Sequence, residues 1–233
     1  MGAFPFCAPV FPGFPGRFDV AVARSMVEGV PTTTAGIAIS GEIVVPRVGK
    51  MGMHPPWLAR DNGFDSVIGM HVEHARVVEV ANTVLSDDAL AVLDLGCGNG
   101  ALLRKLHDHN ATIAPFGIDN NATAIAHSAE LLPDFPGNCV VGDMFEDDRI
   151  WAEGKRYSLA LLMPGRLVEH VGDKANRLRE RLATQCEEIL VYAYGDWIER
   201  YGTLKNLAEA ARLTLKDANA NATAALAEVQ RVN

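Results

Sequence analysis

The sequence predicts an α/β fold with a doubly wound, mostly parallel sheet that follows a Pro/Gly-rich N-terminal arm. Three observations carry this prediction. The chain has 233 residues, 48% of them apolar, which suffices for one large domain or one domain with a small appendage. From Trp57 onward, short apolar runs alternate with amphipathic stretches, as in buried parallel strands covered by helices on both faces. Glycine and proline are concentrated before that point.

Residues 1–56 are the predicted arm, and residues 57–233 are the predicted main domain. The arm contains 8 glycines and 8 prolines, which interrupt helices and strands, so we expect it to be mostly loop and turn. Its first 18 residues hold five phenylalanines. We expect these rings to pack on the main domain or on a second subunit, or to form a lid over a site. A short hairpin is predicted to join Ala35–Ile39 to Glu42–Val45.

In the main domain, a helix is predicted over Val67–Leu85 because its apolar residues recur at helical spacing. The apolar and amphipathic runs that follow this helix are assigned as strands or helices by their length and by the turn residues at their ends. The predicted strands are Ala91–Leu95, Pro115–Ile118, Asn138–Val141, Ser158–Met163 and Glu188–Tyr194. The predicted helices that separate them are Ala101–His109, Ala122–Leu131, Arg166–Gln185 and Leu204–Leu215.

The charge balance and the cysteine pattern argue against several classes of protein. With 21 basic and 29 acidic residues, the net charge is −8, which argues against a surface that binds nucleic acid. No apolar run approaches the roughly 20 residues of a membrane span, and no signal-peptide pattern is visible. The seven histidines lack metal-ligand spacing, so no metal is predicted. We expect a cytoplasmic protein with reduced cysteines, because no Cys-x-x-Cys pair occurs among Cys7, Cys97, Cys139 and Cys186.

A glycine-rich loop follows the first predicted strand of the main domain. Glycines at positions 96, 98 and 100 allow a tight turn and let a ligand approach bare backbone, and the turn opens a helix whose first amides favour an anionic group. Asp119 lies 19 residues after Gly100, the offset at which a carboxylate accepts hydrogen bonds from ribose hydroxyls. Because the strand ends meet at one edge of a parallel sheet, the sequence predicts a ligand site there.

The stretch Val92-Leu93-Asp94-Leu95-Gly96-Cys97-Gly98-Asn99-Gly100 resembles the first motif of the class I S-adenosylmethionine-dependent methyltransferases. Asp119, Asp143 and the strand ending at Met163 fall where later motifs of that family fall, and the similarity covers residues 67–215. The resemblance implies a Rossmann-like fold, S-adenosyl-L-methionine as the cofactor and S-adenosyl-L-homocysteine as its product. The spacing Gly-x-Gly-x-Gly, in place of Gly-x-Gly-x-x-Gly, favours this methyl donor over NAD.

The resemblance also implies roles for individual residues. Asp94 would help to orient the cofactor, and the glycine loop would hold its methionine part. Asp119 would bind the ribose hydroxyls, and residues 143–145 would hold the adenine. The predicted cofactor-binding residues are Asp94, Gly96, Cys97, Gly98, Gly100, Asp119, Asn120, Asp143, Met144, Phe145 and Met163.

Two features depart from the family's pattern. Met163-Pro164-Gly165-Arg166 stands where amino-methylating members carry Asn or Asp followed by Pro-Pro, which argues against methylation of DNA bases or glutamine amides. An oxygen, nitrogen or carbon acceptor on a small molecule remains open. The family usually ends with an antiparallel hairpin, whereas here at most one clear strand fits, within Ala222–Val232. The Ala35–Val45 hairpin is the candidate to complete that edge of the sheet.

The leading hypothesis is therefore a methyltransferase that acts by direct displacement on a small-molecule acceptor, a metabolite or a natural product. The candidate catalytic residues are His170 and Arg166, which follow the fourth predicted strand: His170 as the base that a hydroxyl acceptor needs, and Arg166 as a partner for an acidic group of the substrate. Their alternatives are a surface histidine and a helix-start charge paired with an acidic neighbour. The alternative function is a non-catalytic, methyltransferase-like binding or scaffold subunit. The arm is the candidate contact for a homo-oligomer.

Overall fold

The computed structural model describes residues 19–21, 54–85, 90–170, 172–194, 196–216 and 225–229. The predicted hairpin over Ala35–Val45 and the five phenylalanines of the arm lie outside these residues. In this part of the chain, no helix is long and apolar enough to cross a bilayer.

The described residues form eight strands and eight helices. The strands are β1 (Asp19–Ala21), β2 (Leu90–Leu95), β3 (Ile113–Asp119), β4 (Cys139–Val141), β5 (Tyr157–Leu162), β6 (Cys186–Ala193), β7 (Leu213–Lys216) and β8 (Ala225–Val229). The helices are α1 (Trp57–Arg60), α2 (Val67–Val84), α3 (Ala101–His109), α4 (Ala122–Leu131), α5 (Gly165–Glu169), α6 (Asp173–Gln185), α7 (Asp196–Tyr201) and α8 (Leu204–Ala210).

These strands form one sheet in the order β4-β3-β2-β5-β6-β8-β7, and β1 also pairs with β6. The five strands from β2 to β6 pair in parallel, whereas β1, β7 and β8 form antiparallel pairs. The five predicted strands are present, and the doubly wound fold is confirmed. The chain runs outward from β2 to β4 and returns to β5, so the strand order reverses between β2 and β5. Ligands bind at such a switch point, beyond the carboxyl ends of the strands.

Helices cover both faces of the sheet. On one face, Val92 of β2 packs in a cluster with Val77 of α2 and Leu106 of α3. On the other face, Leu93 packs in a cluster that includes Leu178 of α6. Adjacent residues of a strand point to opposite faces, so a continuous apolar run fills both layers of the core.

The single helix predicted over Arg166–Gln185 is wrong, because two helices are present. The first, α5, ends at Glu169, and α6 begins at Asp173. Gly172, immediately before α6, has φ 86°, a left-handed conformation that interrupts a helix.

The helix predicted over Leu204–Leu215 is also wrong at its end. Helix α8 ends at Ala210, and Arg212, with φ 57°, turns the chain into β7. In β7 the buried Leu213 and half-buried Leu215 alternate with polar residues, which is the period of a strand. Because β7 pairs with β8, the C-terminal hairpin that was not expected is present. Its two strands are short and have weak local strand patterns, so the pairing between them stabilises the strand conformation.

Candidate functional site

The glycine loop between β2 and α3 lies at the carboxyl edge of the parallel strands. Its three glycines have φ angles between 54° and 92°, which side chains disfavour. The amides of Gly96 and Cys97 donate to Ile118 O at 2.8 and 3.1 Å. The amide of Gly98 donates to Asp119 Oδ2 at 2.9 Å. These three amides have acceptors inside the protein, so the loop offers a ligand mainly a close approach to bare backbone at Gly96, where Met144 Cε at 3.7 Å is the nearest described atom to an added Cβ.

Asp94 is the second-last residue of β2, two positions before the first glycine of the loop. Its side chain is buried, and Oδ1 has no hydrogen-bond partner within the described part of the chain. Burial raises the pKa of Asp94 to about 8, with further contributions from Cys139 and Asp119. An unpartnered buried carboxylate is costly, and a cationic ligand group beside it would offset that cost. The site is therefore suited to a ligand with a positive charge at this position.

Asp119 ends β3, the strand beside β2. Its Oδ2 accepts from Gly98 N, and its Oδ1 accepts from Asn121 N at 2.8 Å. Each carboxylate oxygen can accept two hydrogen bonds, so both retain a free lone pair. The two backbone amides hold the carboxylate in one orientation, with capacity for two hydroxyl donors.

The loop after β4 brings the predicted adenine-binding residues to the same edge. A Cβ on Gly96 would lie 3.7 Å from Met144 Cε, so the Met144 side chain borders the glycine loop. Phe145 is buried, and its amide donates to Asp143 Oδ1 at 2.9 Å. Asp143 and Asn120, which follow β4 and β3, are exposed. The structure thus places these residues in a row along the edge from β2 to β4.

The candidate catalytic residues lie after β5. Met163 is half-buried at the end of this strand. Arg166 is exposed and forms an ion pair with Glu169 at 3.0 Å, which is the acidic neighbour that its alternative interpretation requires. His170 is exposed just beyond α5, and its ring centroid lies 4.5 Å from that of Phe145. His170 therefore flanks the predicted adenine-binding residues.

The architecture is identified by three features: five parallel strands, a glycine loop after β2, and the antiparallel hairpin of β7 and β8 at the edge of the sheet. The chain has the class I methyltransferase fold. A family model described as methionine biosynthesis protein MetW matches residues 75–132, about a quarter of the chain. No curated protein has a sequence that matches this chain.

Several solved methyltransferases are similar to the chain. A putative O-methyltransferase from Nostoc punctiforme PCC 73102 is 21% identical, with TM-score 0.43 over 58% of this chain and 40% of that one. The glycopeptide N-methyltransferase MtfA, complexed with S-adenosyl-L-methionine, is 18% identical, with TM-score 0.38 over 49% of this chain and 52% of that one. The plantazolicin methyltransferase BpumL, in complex with SAH, is 21% identical, with TM-score 0.36 over 44% and 38%. The chain thus spans about half or less of each of these structures.

In this methyltransferase fold, a cap segment, defined as residues 57–62, lies over the glycine loop. A Cβ on Gly98 would lie 2.8 Å from Asp61 O, so the two backbones are in close contact. Asn99 is fully buried between them: its Nδ2 donates to Leu58 O at 3.2 Å, and its Oδ1 accepts from Asn62 Nδ2 at 2.6 Å. These bonds fasten the cap segment to the loop.

The cap segment is also fastened to α4. Asp61 Oδ2 lies 2.7 Å from Nδ1 of His127, and the Trp57 ring stacks on the His127 ring with centroids 4.3 Å apart. Sequence analysis did not find these contacts. No local pattern could have shown them, because their partners are more than sixty residues apart.

An aromatic group that sequence analysis also missed lies between the cap segment and β6. The ring centroid of Phe64 lies 5.5 Å from that of His74 and 5.1 Å from that of Tyr194. His74 is buried, and burial lowers its pKa well below the usual value. Burial raises the pKa of Tyr194 to about 12, and the charge of Asp94 contributes to the rise. The signal available in the sequence was the position of Tyr194, at the end of a predicted strand.

Proposed function

We propose that the protein is an S-adenosyl-L-methionine-dependent methyltransferase that acts on a small-molecule acceptor. The observation that carries the proposal is the buried Asp94 carboxyl near the glycine loop, one oxygen of which has no hydrogen-bond partner among the described residues. The amino group of the cofactor's methionine part is a cation that suits this position. When bound, the cofactor supplies a methyl group on a positively charged sulfur.

The ligand charge that the glycine loop favours distinguishes this cofactor from a dinucleotide. A dinucleotide places its pyrophosphate at the glycine loop and uses free amides there. Here the amides of Gly96, Cys97 and Gly98 have internal acceptors, and Asp94 would oppose an anion. The same arrangement favours a ligand whose charge at the loop is positive.

We assign the remaining contacts along the edge of the sheet. Asp119 accepts hydrogen bonds from the ribose hydroxyls through the lone pairs that its two backbone donors leave free. Met144 and Phe145 pack against the adenine, and Asp143 and Asn120 lie at its polar rim. Each assignment places one part of the cofactor on a separate strand end.

The acceptor is assigned to the space between the aromatic group and the end of β5. Methyl transfer requires the acceptor atom, the methyl group and the sulfur to be aligned, with water excluded. The cap segment covers this edge, and Phe64 and Tyr194 provide an apolar wall. A covered site of this kind suits a small molecule. Arg166 stays a candidate for binding an acidic group of the acceptor, and His170 stays a candidate for deprotonating it.

The proposal extends to the rest of the chain. Residues 57–233 form the cofactor-binding domain, and residues 1–56 form an arm that covers the site or contacts a second copy. We place the protein in the cytoplasm, which is consistent with the free thiols of Cys97, Cys139 and Cys186.

Calorimetric titration with S-adenosyl-L-methionine, S-adenosyl-L-homocysteine and NAD tests the cofactor. Asp119→Ala should abolish binding of the first two ligands. Asp108→Asn, on the exposed last turn of α3, is the matched control and should bind like the unmodified protein. Full binding by Asp119→Ala, or tighter binding of NAD, would overturn the assignment.

A second candidate function is a non-catalytic scaffold with the same fold. One observation favours it: the end of β5 carries Met163-Pro164-Gly165, with no polar side chain to face an acceptor. Incubation with isotope-labelled methyl donor and a metabolite extract separates the two functions. A labelled small molecule supports the enzyme, whereas cofactor binding with no labelled product supports the scaffold.

A further inference from the structure

Two cysteine side chains meet beneath the glycine loop. Cys97 lies within the loop, and Cys139 begins β4, where it pairs with Gly117 of β3. Gly117 has no side chain, and Cys97 fills the vacant space: a Cβ on Gly117 would lie 2.6 Å from Cys97 Sγ. Paired residues of adjacent strands project on the same face, so this position places the sulfur of Cys97 beside the side chain of Cys139. The Cys139 side chain also borders the glycine loop, since a Cβ on Gly100 would lie 3.7 Å from Cys139 Sγ, and it packs against the buried cluster that contains Cys97.

The two thiols differ in acidity. Cys97 is almost fully buried, and its thiol donates to Gly98 O at 3.6 Å. Interaction with the neighbouring Cys97 thiol lowers the pKa of the Cys139 thiol, although burial opposes this change. The same contact, together with burial, raises the pKa of the Cys97 thiol. Cys139 is also the more exposed of the two, so it is the thiol that an oxidant in solution reaches first.

We propose that Cys97 and Cys139 form a reversible disulfide in response to a peroxide, and that this bond closes the cofactor site. The second half of this inference rests on the proposed function. The bond would join the glycine loop, which is assigned to the methionine part of the cofactor, to β4, which leads to the residues assigned to the adenine.

The chemistry balances with a peroxide as the oxidant. The Cys139 thiolate attacks one peroxide oxygen, the O–O bond breaks, and the leaving oxygen departs as water after taking up a proton. This step produces a sulfenic acid on Cys139. Cys97 then attacks the sulfur of Cys139, and the S–O bond breaks with loss of a second water. Two thiols are oxidised, one hydrogen peroxide is reduced to two waters, and a dithiol reductant reverses the change.

The expected effect on the site follows from geometry. A disulfide brings two sulfurs to about 2.05 Å, which is roughly 1 to 2 Å closer than a non-bonded contact. The glycine loop is held to β3 through Ile118 O, so the contraction must shift the loop or β4. Misplacement by about 1 Å can reduce the rate of an enzyme about 100-fold. We therefore expect oxidation to weaken cofactor affinity at least tenfold.

Peptide mapping after peroxide treatment tests the bond itself. Arg104 and Lys105 lie between the two cysteines, so trypsin separates them unless a disulfide joins their peptides. The linked peptide should form in the full chain and disappear with dithiothreitol. It should form in Cys186→Ser, since burial raises the pKa of the Cys186 thiol to about 12, and not in Cys139→Ser.

Titration with S-adenosyl-L-homocysteine tests the consequence, as the ratio of oxidised to reduced affinity within each variant. In the full chain and in Cys186→Ser, the oxidised protein should bind at least tenfold more weakly than the reduced protein. In Cys139→Ser the ratio should stay near one. Cys139→Ala replaces this variant if the serine variant does not fold. Absence of the linked peptide, an unchanged affinity when it is present, or an equal loss in Cys139→Ser would overturn the inference. Failure of the reduced full chain to bind would instead refute the proposed function, while the peptide result stands separately.

Discussion

Replacing Asp94 by asparagine should make the free protein more stable and remove its affinity for the methyl donor. The side chains have nearly the same shape, so the variant changes mainly the capacity to carry a negative charge. In the native protein the carboxyl is buried, one of its oxygens has no partner in the part of the chain that the structure describes, and its pKa is raised to about 8 from 3.8. The asparagine variant escapes the cost of keeping an ionisable group in that position.

The magnitude follows from the difference between the folded and unfolded pKa. The pKa of Asp94 is higher in the folded state than in the unfolded state. The free energy of unfolding is therefore greatest below the unfolded-state pKa and decreases as pH rises. The loss runs from about pH 4 to about pH 8 and amounts to about 1.4 kcal/mol per pH unit. At pH 7 Asp94→Asn should therefore be more stable by about 2 to 4 kcal/mol, which is a rise in Tm of at least about 4 °C.

Thermal unfolding of both proteins between pH 4 and 9 measures this effect. The stability of the native protein should fall over that range relative to that of Asp94→Asn, and the two curves should converge near pH 4. Asp108→Asn, at an exposed ion pair, should leave the curve of the native protein unchanged. If Asp94→Asn is no more stable at pH 7, or if it binds the methyl donor normally, the reasoning about this carboxyl is refuted.

Two further outcomes are expected. Affinity for S-adenosyl-L-methionine should rise about tenfold from pH 6 to 7 and less steeply from pH 7 to 8, because Asp94 must lose its proton. It should fall above pH 8 as an α-amino group of pKa about 8 loses its own proton, and a flat calorimetric profile would contradict the ion pair. Gly98→Ala should weaken binding of S-adenosyl-L-homocysteine at least tenfold, since its Cβ would displace the cap segment. Gly137→Ala is also at positive φ, but among the described atoms outside its chain neighbours none lies within 4 Å of the new Cβ, so this variant should cost about 1 to 2 kcal/mol of stability and no affinity. Equal losses of affinity in the two variants would rule out the collision at Gly98.

The parts of the fold that the sequence predicts are those with a local pattern. Continuous apolar runs predict the five parallel strands, because burial on both faces needs no polar alternation. The glycines at 96, 98 and 100 predict the loop, because only a turn of this kind requires three residues without side chains so close together. Helices α3 and α4 were predicted with the bounds that the structure shows.

The parts that the sequence does not predict depend on distant partners. The apolar residues of β7 fit the end of a helix as well as a strand, and pairing with β8 decides between them. Asn62 and Asn99 are polar residues that any loop could contain, until the fold brings their amides to 2.6 Å. The unpartnered oxygen of Asp94 is likewise a property of the assembled site, because sequence gives its strand position but not its lack of a donor.

The pairing of β6 with both β1 and β8 has a consequence for folding kinetics. Val191 of β6 is the register partner of Ala21 and of Ala225, two residues separated by more than two hundred positions. Contacts between such distant segments slow folding, since the entropy of closing the loop is lost before the pairing stabilises anything. In a chain folding during synthesis, β2 to β5 can pair while β8 is still unmade. The part of this β6 edge that pairs with β8 and not with β1, at Leu190, then stays open until the last strand arrives, and for that interval it can pair with another chain.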